Sequence, residues 1–325
     1  MHLFPEPTMY TVREGVEPIR LAVHEQGEGP AVVFSHGFPE LAYSWRHQLP
    51  AVSAAGFRAI APDQRGYGGS SRPAAIEDYS LTVLAGDLVG LLDALEIEQA
   101  IFVGHDWGGQ VVWSMPLLHP DRTLGVAAIC TPYAAFPSTD IMRVLTGGDA
   151  ERFYMLWFQE PGVAEAVMDP RVPELMQLLL RESKDPAALF AEREAQGGFS
   201  LNPFLREADV SSAMGGMLVS PEELDYYVDA FERTGFRGAI NWYRNVDRNL
   251  EDVPELGTTK LDLPCLMLTA EWDFAIRPEF AAGMPALIED LEIEMIPRSG
   301  HWVQQESPDL VNRHLVGWLT DRFGP

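Results

Sequence analysis

Amines and thiols are nearly absent from this chain. Of its 325 residues only two are lysines, Lys184 and Lys260, and only two are cysteines, Cys130 and Cys265. Both cysteines sit in apolar runs, AAIC and PCLML, where a cysteine is ordinarily a small buried hydrophobe. Two such residues make neither a disulfide framework nor a metal-binding spacing, so no metal is expected. No stretch approaches the roughly 18 apolar residues of a membrane span. The N-terminus, MHLFPEPTMY, lacks a basic segment followed by an apolar core, so a cytoplasmic location is the expectation. Positive charge is scarce as well: 23 Lys+Arg stand against 48 Asp+Glu, a formal charge of −25. Such a surface repels phosphate backbones and anionic lipid, which excludes nucleic-acid binding and membrane docking as functions. The surplus acid reads as solvation. With 46% hydrophobic and 22% charged residues the chain is rich enough in apolar side chains to fold around a core.

Short apolar runs alternate with helical patterns. PIRLAVHEQG, AVVFSHG (31–37), FRAIAPDQ (57–64) and QAIFVGHD (99–106) read as strands, and TLGVAAIC (123–130) as the next. Helices are expected around Trp45–Ala55, over Leu81–Leu95 and after Asp106. In the second of these Leu84, Leu88, Leu91, Leu92 and Leu95 recur near helical spacing. Strand–helix alternation implies right-handed βαβ units and a mostly parallel sheet with helices on both faces. From about Pro137 to Leu250 the pattern changes to helical, Met- and aromatic-rich sequence broken by Pro and Gly. Strand signals return in LPCLMLTAEWD (263–273) and LEIEMIP (291–297), and a last helix runs through Leu310–Leu319. The expected organisation is an α/β core of residues 1–136 and 251–325 interrupted by a helical insertion of residues 137–250. No internal repeat or flexible linker is visible.

Open parallel sheets place their sites at the carboxyl ends of strands. Four segments fall there: HGFPE (36–40), GHDWGG (104–109), AEWD (270–273) and SGHW (299–302). GHDWG has the shape Gly-x-nucleophile-x-Gly, in which small neighbours let a strand turn abruptly into a helix and hold the central residue exposed and strained. That residue is Asp106. A carboxylate at a helix N-terminus stays ionised and can attack carbon without first losing a proton. The resulting ester must be cleaved by water, for which His301 is the candidate general base and Asp273 its orienting acid. Nucleophile, acid and histidine follow in the chain order expected of this architecture. The turn after AVVFS can aim the Phe38 backbone N–H into the site, with the Trp107 N–H as second donor of an oxyanion hole. Taken singly, Asp106 could be a helix cap, His301 a turn residue and HGFP only a tight turn; together, at successive strand ends, they read as a site.

HGFPE, DQRGYGGS (63–70), GHDWGG, AEWD and SGHW together resemble the epoxide hydrolases of the α/β-hydrolase fold, from about residue 10 to the C-terminus. The resemblance extends to YMLWFQEPGVAE (154–165) and GAINWYRN (238–245), which are similar to the two cap segments that carry that family's epoxide-activating tyrosines. It implies Tyr154 and Tyr243 in that role, an inserted helical cap, no cofactor, and a small hydrophobic epoxide and water as partners. On residue type alone the two tyrosines would be core filling, since Phe153, Trp157, Phe158 and Trp242 surround them. Phe38, Trp107, Met155 and Trp302 are expected in the pocket lining. Met155 follows the first tyrosine where some members carry a polar residue, a departure that bears on substrate range. Asp63 and Arg65 are expected to hold a loop, and His36 to brace the turn. Nothing distinguishes Arg277 or Arg298 from solvent charges.

Two other readings compete. A haloalkane dehalogenase is similar in fold, Asp elbow and the tryptophan after it. A departing halide, however, wants a second N–H donor, and the position following His36-Gly37 is Phe38 rather than the Asn often found there. Haloacetate chemistry would want a cation after the nucleophile, where Trp107 stands, and esterase chemistry a serine at the elbow. A small-molecule receptor on the same fold is the alternative of another class.

Overall fold

Strand β1 (Thr8–Arg13) pairs antiparallel with β2 (Ile19–Gln26), and β2 antiparallel with β4 (Arg58–Pro62). From there β3 (Ala31–Ser35), β5 (Ala100–His105), β6 (Thr123–Ile129), β7 (Cys265–Ala270) and β8 (Leu291–Ile296) run parallel. The order across the sheet is β1-β2-β4-β3-β5-β6-β7-β8. The computed structural model describes residues 4–147, 153–185, 205–208, 210–213 and 215–324.

Side chains alternate between the two faces of a strand, so a central strand covered on both sides is apolar throughout. Val32 and Phe34 of β3 point to the face covered by helix α1 (Gln48–Ala54) and the last helix, Pro308–Phe323. Val33 points the other way, onto α2 (Leu81–Ala94) and α3 (Trp107–Leu118). The α2 stripe works as its spacing implies: Leu84, Leu88, Leu91 and Leu92 are buried, and only Leu95, just past the helix end, is partly exposed. Each such leucine contributes on the order of 2 kcal/mol of apolar transfer.

Two elements differ from the sequence reading. Strand β1 was not anticipated, because TMYTVR is a partly exposed edge strand with no buried apolar run to mark it. Helix α1 starts at Gln48 rather than at Trp45, the residues Ala42–Trp45 forming a separate 3₁₀ turn.

Between β6 and β7 the described chain is helical, with segments Thr139–Leu145, Tyr154–Trp157, Val163–Met168, Val172–Leu179, Pro221–Thr234, Arg237–Arg244 and Val246–Asp252. Their apolar faces join the α2/α3 side of the core: Phe158, Tyr227, Phe231, Trp242 and Tyr243 belong to the same buried cluster as Trp107 and Leu88. Ser220 caps the longest of them, its hydroxyl accepting from the Glu223 N–H while the Glu223 carboxylate accepts from the Ser220 N–H. Glu223 also pairs with Arg46 at 2.6 Å, tying that helix to the loop after β3. Among the described residues no helix is long and apolar enough to cross a membrane.

Candidate active site

Asp106 sits where β5 becomes α3, at φ 53° and ψ −123°, a conformation few non-glycine residues adopt. Only small neighbours permit it. An added Cβ at Gly104 would lie 2.3 Å from the Gly108 carbonyl oxygen, and one at Gly108 1.9 Å from that of Ser35. The Thr131 hydroxyl donates to the Asp106 carbonyl at 2.7 Å and secures the elbow from the end of β6. From the end of β3, the Phe38 N–H donates to Asp106 Oδ1 at 2.9 Å. The Phe38–Pro39 peptide is cis.

Asp273 and His301 lie just past the ends of β7 and β8. His301 Nδ1–H donates to Asp273 Oδ2 at 2.8 Å, and its Nε2 lies 3.5 Å from Asp106 Oδ2. Asp273 is fixed in turn by the N–H groups of Ala275 and Ile276, both at 2.9 Å. Burial would raise the Asp106 pKa, but the His301 and His105 rings and the Phe38 N–H outweigh it and hold the carboxyl below its ordinary value. Burial would lower that of His301, yet Asp273 and Asp106 together push it well above the usual histidine range.

Across a cavity of about 860 Å³ from Asp106 stand Tyr154 and Tyr243, their rings 5.6 Å apart and edge to face. Tyr243 is wedged against Trp107 at 5.0 Å and Phe38 at 5.2 Å between ring centres. Burial first, and then the neighbouring negative groups, push both phenols far above their ordinary pKa, so both are neutral donors. Asp106, His301, Tyr154 and Tyr243 all line this cavity, and so do Phe38, Trp107, Met155 and Trp302. Asp273 lies behind His301 with its side chain closed to solvent. The geometry therefore brings all the sequence-derived candidates together at one place.

Other residues singled out in the sequence have defined partners. Asp63 accepts from the Ala42 and Gly69 N–H groups, both at 3.0 Å, and Arg65 pairs with Asp87, so both are loop-holding residues. His36 Nε2 accepts from the Gln64 N–H at 3.0 Å, which makes Nδ1 the protonated nitrogen, donating to the Gly37 carbonyl. Burial lowers its pKa, and it braces the turn as a neutral ring. Arg277 lies over the Phe280 ring, and Arg298 lends its backbone N–H to Glu271. Both cysteines are free and buried, but Cys130 is more than filler: its thiol faces the His301 carbonyl at 3.5 Å.

One pair escaped the sequence. His105 Nδ1 lies 2.7 Å from Glu40 Oε2, and its Nε2 lies 2.7 Å from the His301 carbonyl oxygen. Both partners are acceptors, so both ring nitrogens carry protons and the ring is an imidazolium. Burial disfavours that charge, but Glu40 overcomes it and raises the His105 pKa to about 10. The other oxygen of Glu40 accepts from the side-chain amides of Gln304 and Gln305. Glu40 and His105 both occur within motifs singled out in the sequence, but nothing in local spacing announces that they meet.

The family model for the alpha/beta hydrolase fold matches residues 30–308. The chain is 42% identical to epoxide hydrolase A of Mycobacterium tuberculosis over 314 residues, covering 93% of this chain and 94% of that one. It is 40% identical to bifunctional epoxide hydrolase 2 of Rattus norvegicus over 310 residues, 95% of this chain and 54% of the rat protein, and so spans about half of that relative's length. The crystal structure of epoxide hydrolase A from Mycobacterium thermoresistibile superposes with a TM-score of 0.81 at 41% identity, covering 96% of this chain and 98% of that one. An α/β sheet with an aspartate elbow, and likeness over nearly the whole chain to proteins of one kind, lead to the same place: the chain belongs to the epoxide hydrolase family of the α/β-hydrolase fold.

Proposed function

We propose that this chain converts an epoxide and water into a vicinal diol in two steps, through an ester on Asp106. The observation that carries the reading is the placement of His301 between Asp106 and Asp273, facing two neutral phenols across one cavity. In the first step a carboxylate oxygen of Asp106 attacks an epoxide carbon and the ring C–O bond breaks. The developing alkoxide takes a proton or hydrogen bond from Tyr154 or Tyr243. A phenol kept neutral beside a carboxylate suits this, since it donates to an alkoxide without ionising in the resting site.

In the second step His301 removes a proton from water, and the hydroxide attacks the ester carbonyl carbon. The Phe38 and Trp107 backbone N–H groups stabilise the oxyanion. On collapse the ester C–O bond breaks, the departing alkoxide takes up the hydroxyl proton and leaves as the diol, and Asp106 is restored as a carboxylate. The proton held by His301 goes back to the tyrosine that gave one in the first step. The Phe38 N–H already points at Asp106 Oδ1, which supports its share of this role. Asp273 orients the imidazole and balances the charge it gains. Residues 137–250, of which 148–152, 186–204, 209 and 214 lie outside the described residues, serve as the lid that delivers the tyrosines, over a core of residues 1–136 and 251–325. The mainly aromatic and aliphatic lining, and a volume within the usual range for small-molecule pockets, suit a neutral hydrophobic epoxide.

The test is a panel of epoxides, styrene oxide among them, and of haloalkanes, scored for diol and halide. Diol without halide is the expected result. Halide without diol would establish a dehalogenase, and binding without either product a receptor.

A further inference from the structure

Glu306 lies outside the triad and the tyrosine pair, yet its carboxylate is the meeting point of the two halves of the site. Oε2 accepts from the Gly300 N–H at 3.0 Å and the Ser183 N–H at 3.2 Å. Oε1 accepts from the Trp302 N–H at 3.2 Å and the Ser183 hydroxyl at 3.0 Å. Each oxygen thus takes one donor from the loop bearing His301 and one from Ser183, in the helical insertion 123 positions away. The two loop donors flank His301. The peptide between His301 and Trp302 is held at both ends, its N–H by Glu306 and its C=O by His105 Nε2.

A second contact joins the same two segments: the Trp302 indole N–H donates to the Leu179 carbonyl at 2.7 Å. Leu179, Ser183 and Trp302 all line the cavity. The approach is close enough to require glycine at position 300, where an added Cβ would stand 1.7 Å from the Ser183 hydroxyl oxygen. Burial pushes the Glu306 carboxyl above the ordinary glutamate range although all four donors pull it down. A carboxylate kept in such a place at that cost is suited to holding segments that would otherwise part.

We propose that Glu306 is a positioning residue which fastens the cavity-lining segment Leu179–Ser183 to the His301 loop, so that the general base is set for ester hydrolysis only while that segment is seated. The proposal rests on the two-step reading above. It assigns Glu306 no contact with substrate: it acts through the peptides on either side of His301. Glu306→Gln keeps the shape but turns an NH₂ group toward one of the two loop N–H groups, losing that acceptor and adding a repulsion. The fault then falls on the second half-reaction, since attack by Asp106 does not need the His301 loop in register.

The experiment is rapid-quench turnover of styrene oxide by the full chain, with intact-protein mass spectrometry to follow the adduct. In Glu306→Gln, adduct formation stays within about twofold of wild type while adduct decay slows at least tenfold, so the ester accumulates; a misplacement on the order of 1 Å suffices for such a loss. In Ser183→Ala, which removes only the hydroxyl from the insertion side, KM rises and adduct decay slows, by less than in Glu306→Gln because the Ser183 N–H still donates to Glu306. Normal decay in Glu306→Gln overturns the proposal, as does equal slowing of both steps, the mark of general loosening. An unchanged KM in Ser183→Ala removes the insertion half of it. A wild-type enzyme that makes diol with no adduct at all overturns the ester reading itself and the proposal with it, an outcome read in the wild-type arm alone.

Discussion

His301 Nε2 stands 3.5 Å from Asp106 Oδ2, a separation that couples the two charges without a strong hydrogen bond between them. In the proposed mechanism this coupling makes the action of His301 as a base conditional on the state of Asp106. While Asp106 is ionised it helps hold the imidazole protonated. On the proposed mechanism, alkylation would cancel the Asp106 charge, lower the His301 pKa and make the ring available as a base for the step that needs one. His301→Gln should therefore still form the ester and fail to release it, lowering kcat by about a hundredfold or more. Mass spectrometry of the quenched variant checks this; no adduct would mean that His301 acts earlier.

The nucleophile is tested by isotope. Repeated turnover in ¹⁸O-water should place label in the peptide containing Asp106, because hydrolysis at the ester carbonyl leaves a solvent oxygen behind. Asp106→Ala should form no adduct. Label confined to the diol would indicate direct attack by water.

In the proposed mechanism Tyr154 and Tyr243 share one task, so each single Phe variant should keep part of the alkylation rate and the double variant lose nearly all of it. Because both pKa values are raised, the protonated form persists to higher pH than for a free phenol. The alkaline limb of the alkylation rate should accordingly lie above about pH 10. Stopped-flow alkylation against pH reads both effects.

Asp273 is the strongest of the groups pushing the His301 pKa upward, against burial, which lowers it. With Asp273→Asn that upward push is lost, and the acid limb of kcat should move to lower pH as kcat itself falls. A pH–rate profile in which the limb stays in place would detach Asp273 from the base.

The Glu40–His105 pair predicts a stability effect with a defined pH window. Glu40 titrates below its ordinary 4.5 in the fold, so its contribution is present above that pH and lost as pH falls through the lowered value. His105 is raised from 6.5 to about 10, so its contribution is complete below 6.5 and lost as pH climbs through about 10. The pair is therefore worth most between pH 4.5 and 6.5. Glu40→Gln, which strands a buried imidazolium, should cost about 3–5 kcal/mol in that window and less toward pH 10. Urea unfolding at pH 6 and at pH 9.5 measures the difference.

Much of this was legible in the residues themselves. The central strands announced themselves as apolar runs because a strand buried on both faces has few polar side chains to interrupt it, as in AVVFS and AIFVGH. The edge strand LEIEMI, mostly exposed, showed itself by alternation instead. The elbow could be read because Gly104 and Gly108 are demanded by steric contacts close in sequence or one strand away. Motifs at the ends of β3, β5, β7 and β8 fell together because parallel strands all end on the same side of the sheet. Strand β1 stayed hidden because an edge exposed to solvent needs no apolar signature.

Pairings across the fold were decided only by the tertiary structure. Glu40 meets His105 across 65 positions and Glu306 meets Ser183 across 123, and neither is linked to its partner by any local period. The meeting of His105 with the His301 carbonyl, and of Cys130 with the same atom, likewise depends on the order of β5, β6, β7 and β8 across the sheet. By itself the sequence determined which candidate residues stand at which strand ends, because those demands are local steric and periodic ones. Their charge states, and the groups that hold them in register, came from burial and long-range contact, which no spacing along the chain encodes.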